Sequence, residues 1–538
     1  MIQRPNNGRN RGDPVPAVLQ KEEIFMAQYT DLEYLRLSKW ARLIYKIKQF
    51  FVSIPRKFIG IFVALWNLIK KFFLGIGNEF KDIVMTFVTG DWKTKVSYLF
   101  MGFGNIARGQ ILRGILFFLF EIVFIAYMIL CGGYYMGMLP SLGKVGPTVE
   151  KVKNGLRGYT SVTTYHDNSF RILLYGVLTI FFICAFIYTW RLNVKQNAIA
   201  EKIIKSGKKL KSGKDDLHSL VDDRFHKTLL ALPVTGILVF TVLPIVFMIL
   251  VAFTNYSGSA NGYTNNLFHW VGLDNFNTML NWNSGATSYA ATFGEVLVWT
   301  LIWAFFATFT NYFLGMLVAM AINKKGIKFK KGWRTILVLT IAIPQFISLL
   351  YVSKMFANNG IVNGVLMDLG IIDLDHLLPF WTDPTWARIT VIIINIWIGI
   401  PYLMLVTTGI LMNIPADLYE SAKIDGASAW QQYSKITLPY MLFVTGPYLL
   451  TSFTGNMNNF NVIYLLTGGA PTNNTATAPG TVGYTDLLIT WLFKITQGAE
   501  ASYYLASVVG ILVFVVVAVI SLVVYNLLPS IKNEEDFQ

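Results

Sequence analysis

Charge is scarce in this sequence. Asp, Glu, Lys and Arg make up 14% of its 538 residues against 54% hydrophobic ones, a balance foreign to soluble globular domains. Cysteine is nearly absent: Cys131 and Cys184 both fall in apolar runs, which argues against a disulfide scaffold and reads as small packing residues. Histidine is sparse too. His166, His218, His226, His269 and His376 show no metal-ligand spacing, and no nucleophile motif accompanies them, so neither metal nor catalytic chemistry is expected. Residues 1–25 lack an apolar core segment, so no cleavable signal peptide is expected. Acidic residues are the rarer sign, giving a formal net charge of +15. Nucleic acid would suit such an excess, but the Lys and Arg gather beside apolar runs, as the positive-inside rule describes.

What is present in quantity is apolar sequence, in several runs longer than about 18 residues. The expected fold is an all-α polytopic membrane protein with about eight transmembrane helices. The expected spans are Gly114–Met136, Ile172–Trp190, Leu229–Phe253, Val296–Ile322, Ile336–Met355, Ile389–Met412, Met441–Leu466 and Leu505–Leu528. The basic loops Arg191–Lys227 and Lys324–Arg334 then fall on one side, which puts both termini in the cytoplasm. Lys144, Lys151, Lys153 and Arg157 are the exceptions to that sorting. A short helix is expected over Asp486–Thr496. Domain divisions follow: 1–110, a basic cytoplasmic or interfacial region; 111–228, two accessory spans and a basic loop; 229–530, a six-helix core; and 531–538, a cytoplasmic tail. Around Phe58–Trp66, residues 1–110 are open to three readings: an amphipathic helix on an anionic membrane surface, a helix packed on the bundle, or a short extra span. Glu121, at membrane depth, is read as protonated or bundle-facing, and by default as a functional-site candidate. Gly207–Lys214 imitates a phosphate loop, but its glycines are one residue too far apart and Asp215 replaces Ser or Thr. A solvated basic loop is the expectation, with no ATP hydrolysis by this chain.

Between the sixth and seventh expected spans lies Asn413–Tyr440, too polar to cross a bilayer. Pro415 suits a first helical turn, and Asp417 and Glu420 favour its positive end. Leu418, Tyr419 and Ala422 form an apolar stripe, Gly426 permits a sharp turn, and Pro439 closes the segment. A helix–turn–helix on the membrane surface is expected, able to dock with a partner; an ordinary amphipathic loop is the blander alternative. The run Glu420-Ser421-Ala422, with Asp425, Gly426, Leu438 and Pro439 at their spacings, resembles the EAA loop of binding-protein-dependent ABC importers. That resemblance implies a coupling helix seated on an ATPase subunit.

Polar residues inside spans mark the candidate substrate site. Asn395, Gly399 and Tyr402 share one helical face, and Asn456, Asn458 and Asn459 cluster in the seventh span. Neutral amides and an aromatic ring suit a sugar's hydroxyls and ring face; the other reading is hydrogen-bonded glue between helices. From about Gly90 onward, the motifs NxWxGxPYxM at Asn395, Asn458-Asn459-Phe460, LLTGGAP at Leu465–Pro471 and GYTDLL at Gly483–Leu488 resemble the larger membrane subunit of maltose/maltodextrin ABC importers. A GL-x-NF-like stretch at Trp270–Phe276 also resembles sugar ABC permeases. The resemblance implies a type I ABC importer permease in the bacterial plasma membrane, with sugar held by Asn395, Gly399, Tyr402, Asn456 and Asn459. Two departures, Gly455 in place of an aromatic and Ile341 with Gln345 in place of Tyr and Ser, add Gln345 to the candidates and leave the sugar's size or linkage open. No cofactor is implied for this chain, since ATP and Mg belong to partner ATPase subunits. Two such subunits, a second related permease and an extracellular or lipid-anchored sugar-binding protein are the implied partners, beside membrane lipids. Galacto-oligosaccharide or raffinose-type sugars are the alternative substrates. A secondary sugar carrier is the alternative class, but it would need intramembrane coupling carboxylates, and only Glu121 is available.

Overall fold

A backbone inside a bilayer must satisfy its own hydrogen bonds, so apolar runs of this length fold as helices. A computed structural model describes residues 38 to 527, apart from 147, 154–158, 165, 211, 259–266, 282–287, 325, 475–480 and 498–500. The polar start at 1–25 and the tail at 531–538 lie outside the described residues. Among the described residues, seven helices are long and apolar enough to cross a membrane. In chain order, spans 1 to 4 are Ile111–Met138, Ser169–Lys205, Phe225–Val251 and Tyr289–Asn323. Spans 6 to 8 are Pro384–Leu411, Ala429–Met457 and Tyr503–Tyr525.

The fifth expected span is not straight. It is a pair, Lys330–Ala342 and Gln345–Met355, bent by 90°. Pro344, with no N–H to donate, sits in the break and turns the chain. The seventh expected span also differs. Its helix stops at Met457, and Asn459 caps a separate helix, Phe460–Leu466. At its start, Pro439 does not close the loop but lies inside a continuous helix. A π-helical turn, Tyr433–Thr437, immediately precedes it, and the same device, Leu238–Val242, precedes Pro244 in span 3. The wider turn accommodates a residue that cannot complete the regular ladder. The short helix expected before span 8 is present as Leu488–Ile495.

Between spans 1 and 2 the chain forms an antiparallel hairpin, β1 (Thr148–Lys153) and β2 (Tyr159–Thr164), with Thr148 opposite Thr164. Among the described residues these are the only strands, and the all-α class stands.

The chain divides into two compact units, Met1–Val84 and Met85–Gln538. The first contains most of a helix that runs from Lys39 to Thr89. In the second, residues 91–110 fold onto spans 1 and 2. The Arg108 guanidinium, 1% exposed, reaches Asp91 at 2.5 Å and Asn197 at 2.8 Å, and Glu201 bonds the Thr94 hydroxyl and the Asp91 N–H. Glu121 is buried and accepts the Met101 N–H at 2.8 Å, so it holds this segment in place. The imitation phosphate loop is helix-capping sequence: Ser212 and Asp215 form a reciprocal capping box for Gly213–Val221.

Candidate functional site

The substrate candidates converge on one turn of span 4. Phe306–Thr310 is a π-helical turn, which re-aims the side chains around it. Thr308 Oγ1 accepts the Asn456 amide at 3.0 Å, and Asn311 Nδ2 donates to the Asn395 carbonyl at 3.4 Å. Residues this far apart on a helix lie about 5–6 Å from each other. Span 4 therefore brings together the two amide clusters, one from span 6 and one from span 7. Trp303 Nε1 donates to the Asn456 carbonyl at 3.1 Å, and Thr445 donates to the Tyr312 hydroxyl at 2.8 Å, fastening span 7 to span 4 on either side.

Within this site the amides do different work. Asn456 spends its side chain on Thr308 and on Asn459, whose Nδ2 reaches Asn456 Oδ1 at 3.3 Å. Asn459 also accepts the Val462 N–H as helix cap. Asn311 Oδ1 and Asn395 Nδ2, by contrast, are buried without a hydrogen-bond partner. One is an acceptor and the other a donor, which is the pair a hydroxyl group satisfies, since it both gives and receives. A buried polar atom left unmet costs about 1–3 kcal/mol, so each of the two calls for a polar partner.

Gly399 is what lets Asn311 come so near. A Cβ built on Gly399 would lie 2.3 Å from Asn311 Nδ2. Tyr402 is farther along span 6 and 51% exposed. Gln345 is exposed at the first residue after the 90° break, and the hydrogen bonds described here do not join it to the amide cluster. At Gly455 an added Cβ would meet nothing within 4 Å, so this position is open space beside Asn456. Thr308 and Asn311 escaped the sequence reading; the signal available was an amide midway along an otherwise apolar run.

The Asn413–Tyr440 loop forms a second site. Pro415 and Asp425 bracket the helix Ala416–Ile424, and Gly426 turns the chain with φ +74°, a conformation that suits glycine. Ser428 caps the next helix with Gln431 in a capping box. Glu420, Ser421, Asp425 and Pro439 are exposed, while Ala422 and Leu438 are half-buried. Leu438 packs against the cluster of Tyr312, Met316 and Met441. The expected stripe is split: Tyr419 turns inward, its hydroxyl 2.8 Å from Thr437 Oγ1, whereas Leu418 faces out. Ile424 is 87% exposed and Trp430 72%, so the loop offers large apolar side chains on a rigid frame. A groove of about 920 Å³ runs beside it, walled by Phe309, Leu418, Ile436, Phe443 and Val524. Its apolar walls do not suit hydroxyls, and it is not the amide site.

The GYTDLL segment, after the loop that follows Leu466, is held by its own side chains. Asp486 is buried, pairs with Lys494 at 2.6 Å and accepts the Gly483 N–H at 2.7 Å. Burial pushes its carboxyl above the usual range, with Lys494 pulling the other way. Arg388 stacks over Trp299 at 4.8 Å and donates to the Tyr484 carbonyl at 2.8 Å. The LLTGGAP and GYTDLL motifs thus serve as framework around the end of the bundle.

Residues 311–533 match the family described as binding-protein-dependent transport system inner membrane component. The chain is 32% identical to the maltodextrin transport system permease protein MalC of Streptococcus pneumoniae, over 81% of this chain and 95% of that one. It is 34% identical to the galactooligosaccharides transport system permease protein GanP of Bacillus subtilis, covering 68% and 85% respectively. Against the maltose/maltodextrin permease protein MalF of Escherichia coli the identity is 36%, over 43% and 44%. Among solved structures, a bacterial ABC transporter for alginate import aligns at 23% identity and a TM-score of 0.46, over 58% of this chain and 97% of that one.

Proposed function

Since the chain belongs to the binding-protein-dependent transport system inner membrane components and is the permease subunit of an oligosaccharide ABC importer in the cell membrane, we propose that its sugar is a maltodextrin. Its relatives are named for maltodextrin and for galactooligosaccharides, so galacto-oligosaccharides are the second reading, supported by the open space at Gly455. The sugar's seat is the junction of spans 4, 6 and 7. The observation that carries this is the buried, unpartnered pair Asn311 Oδ1 and Asn395 Nδ2. Gly399 lets Asn311 approach span 6, and Tyr402 offers a ring face to the sugar. Asn456 and Asn459 hold the turn that frames the seat, and Gln345 lines the approach from the break in the fifth element.

The loop 413–440 is the coupling element, with Glu420, Ser421, Ala422, Asp425, Gly426, Leu438 and Pro439 shaping a knob for an ATPase subunit. Both termini face the cytoplasm in this reading, and the basic loops with them. A second permease completes the pathway, two ATPase subunits bind and hydrolyse ATP with Mg, and a sugar-binding protein delivers the substrate from outside. Alternating access follows: ATP-driven closure moves the knob, and Tyr419–Thr437 passes that motion into span 7, whose far end carries Asn456.

The test is oligosaccharide uptake by the assembled complex with Asn311→Ala and Asn395→Ala. The expected result is a rise in the sugar concentration needed for half-maximal uptake, with the complex still assembled. Unchanged uptake in both variants would remove the seat from this junction.

A further inference from the structure

The helix Lys39–Thr89 takes no part in the account above. Over its described turns, Trp66, Ile69, Ile76 and Phe80 recur at helical spacing, which at 3.6 residues per turn keeps them on one face. All four are exposed, Trp66 and Phe80 by 67% and 68%. Asn67, Lys71, Asn78 and Asp82 fall on the opposite face beside Leu74 and Met85, with Lys70 and Lys81 at its edge. Only Glu79 and Asp82 carry negative charge along a helix that also includes Lys39, Arg42, Lys46, Lys48, Arg56 and Lys57. Its longest stretch without charge, Phe58 to Ile69, is about 18 Å as helix, too short for a hydrocarbon core of about 30 Å.

We propose that this helix is a docking surface for an anionic phospholipid bilayer, lying in the plane of the interface. Its aromatic and isoleucine face enters the acyl boundary while the edge lysines, Lys70 and Lys81, meet lipid phosphates. The charge argues for that occupant over an apolar protein groove: an interfacial helix carries an aromatic and aliphatic face flanked by basic residues, and this one does. Each lysine near an anionic surface strengthens such a contact about five-fold.

The test uses the full chain carrying Cys131→Ser and Cys184→Ser, with a single spin label placed through Ile76→Cys, Phe80→Cys or Asn78→Cys. Collision with oxygen against a water-soluble nickel chelate is measured in phosphatidylcholine vesicles containing about 30% phosphatidylglycerol, and in phosphatidylcholine alone. The expected result is acyl-depth labels at 76 and 80, a water-facing label at 78, and loss of that contrast without phosphatidylglycerol. Lys70→Gln with Lys81→Gln should lower the ratio of bilayer-bound to water-exposed helix, read from the labels at 76 and 80, about 25-fold. Equal burial of all three labels would mean a span and overturn the proposal. Aqueous labels throughout would overturn it as well, as would depth indifferent to both phosphatidylglycerol and the lysines. None of these readouts involves transport, so the substrate reading neither supports nor sinks it.

Discussion

The Tyr419 hydroxyl and Thr437 Oγ1 lie 2.8 Å apart, joining the exposed helix 416–424 to the buried base of span 7. No other side-chain hydrogen bond described here crosses from that helix to the span, so a push on the knob has a defined route. Tyr419→Phe and Thr437→Val each remove this bond, at about 1 kcal/mol. The expectation is that each lowers sugar-stimulated ATPase activity while the complex stays assembled, and that the double variant is no worse than either alone. A stimulated rate equal to wild type in both would disconnect this pair from coupling.

Two glycines near the amides should respond oppositely to alanine. Gly399→Ala places a methyl against Asn311, an overpacking worth about 1–3 kcal/mol, and uptake should fall. Gly455→Ala meets open space and should leave thermal stability unchanged, while Gly455→Phe should shift sugar preference without unfolding the protein. Paired melting curves and uptake assays separate these outcomes; an unchanged Gly399→Ala variant would contradict the close approach.

Arg108 and Lys205 both pair with acids, but only one is sealed from water. Arg108→Ala strips Asp91 and Glu201 of a partner that is 1% exposed, and a loss of about 3–5 kcal/mol is expected. Lys205 is 68% exposed, so Lys205→Ala should cost no more than about 1 kcal/mol. Denaturation of the purified protein in detergent compares them directly.

Asp167 supplies a pH test outside the spans. The Lys144 and Val145 N–H groups both donate to it, at 2.8 and 2.9 Å, and hold its carboxyl below the usual aspartate value. A depressed folded pKa stabilises above the unfolded value and is lost as pH falls through the folded one. Local order of the 144–145 turn should therefore persist at neutral pH and fade only on acidification below about 4. Amide exchange at Lys144 and Val145, compared with Asp167→Ala, reads this. Protection that is identical in the variant at neutral pH would remove the carboxylate from the account.

Hydropathy made the bundle legible because each span is a long apolar run, and Pro415, Asp417 and Gly426 made the helix 416–424 legible because caps and turns have local rules. The 90° break at Pro344 was less so: proline signals a disturbance but not its angle, which packing on span 6 and on Phe460–Leu466 decides. The stop at Met457 was hidden by the apolar helix that resumes at Phe460. In the site, Asn395, Gly399 and Asn456 could be read from residue type, whereas Thr308 and Asn311 depend on a π turn that no spacing announces. The Arg108 network joins residues about a hundred positions apart and leaves no periodic trace.

The most direct measurement is ATP hydrolysis by the complete reconstituted importer, with its binding protein, across a panel of oligosaccharides. Stimulation by maltotriose and longer α-glucans, lost in Asn395→Ala and in Glu420→Lys, is the predicted result. Stimulation by galactosides alone would contradict the maltodextrin assignment, and a Glu420→Lys complex with normal stimulated turnover would contradict the coupling loop.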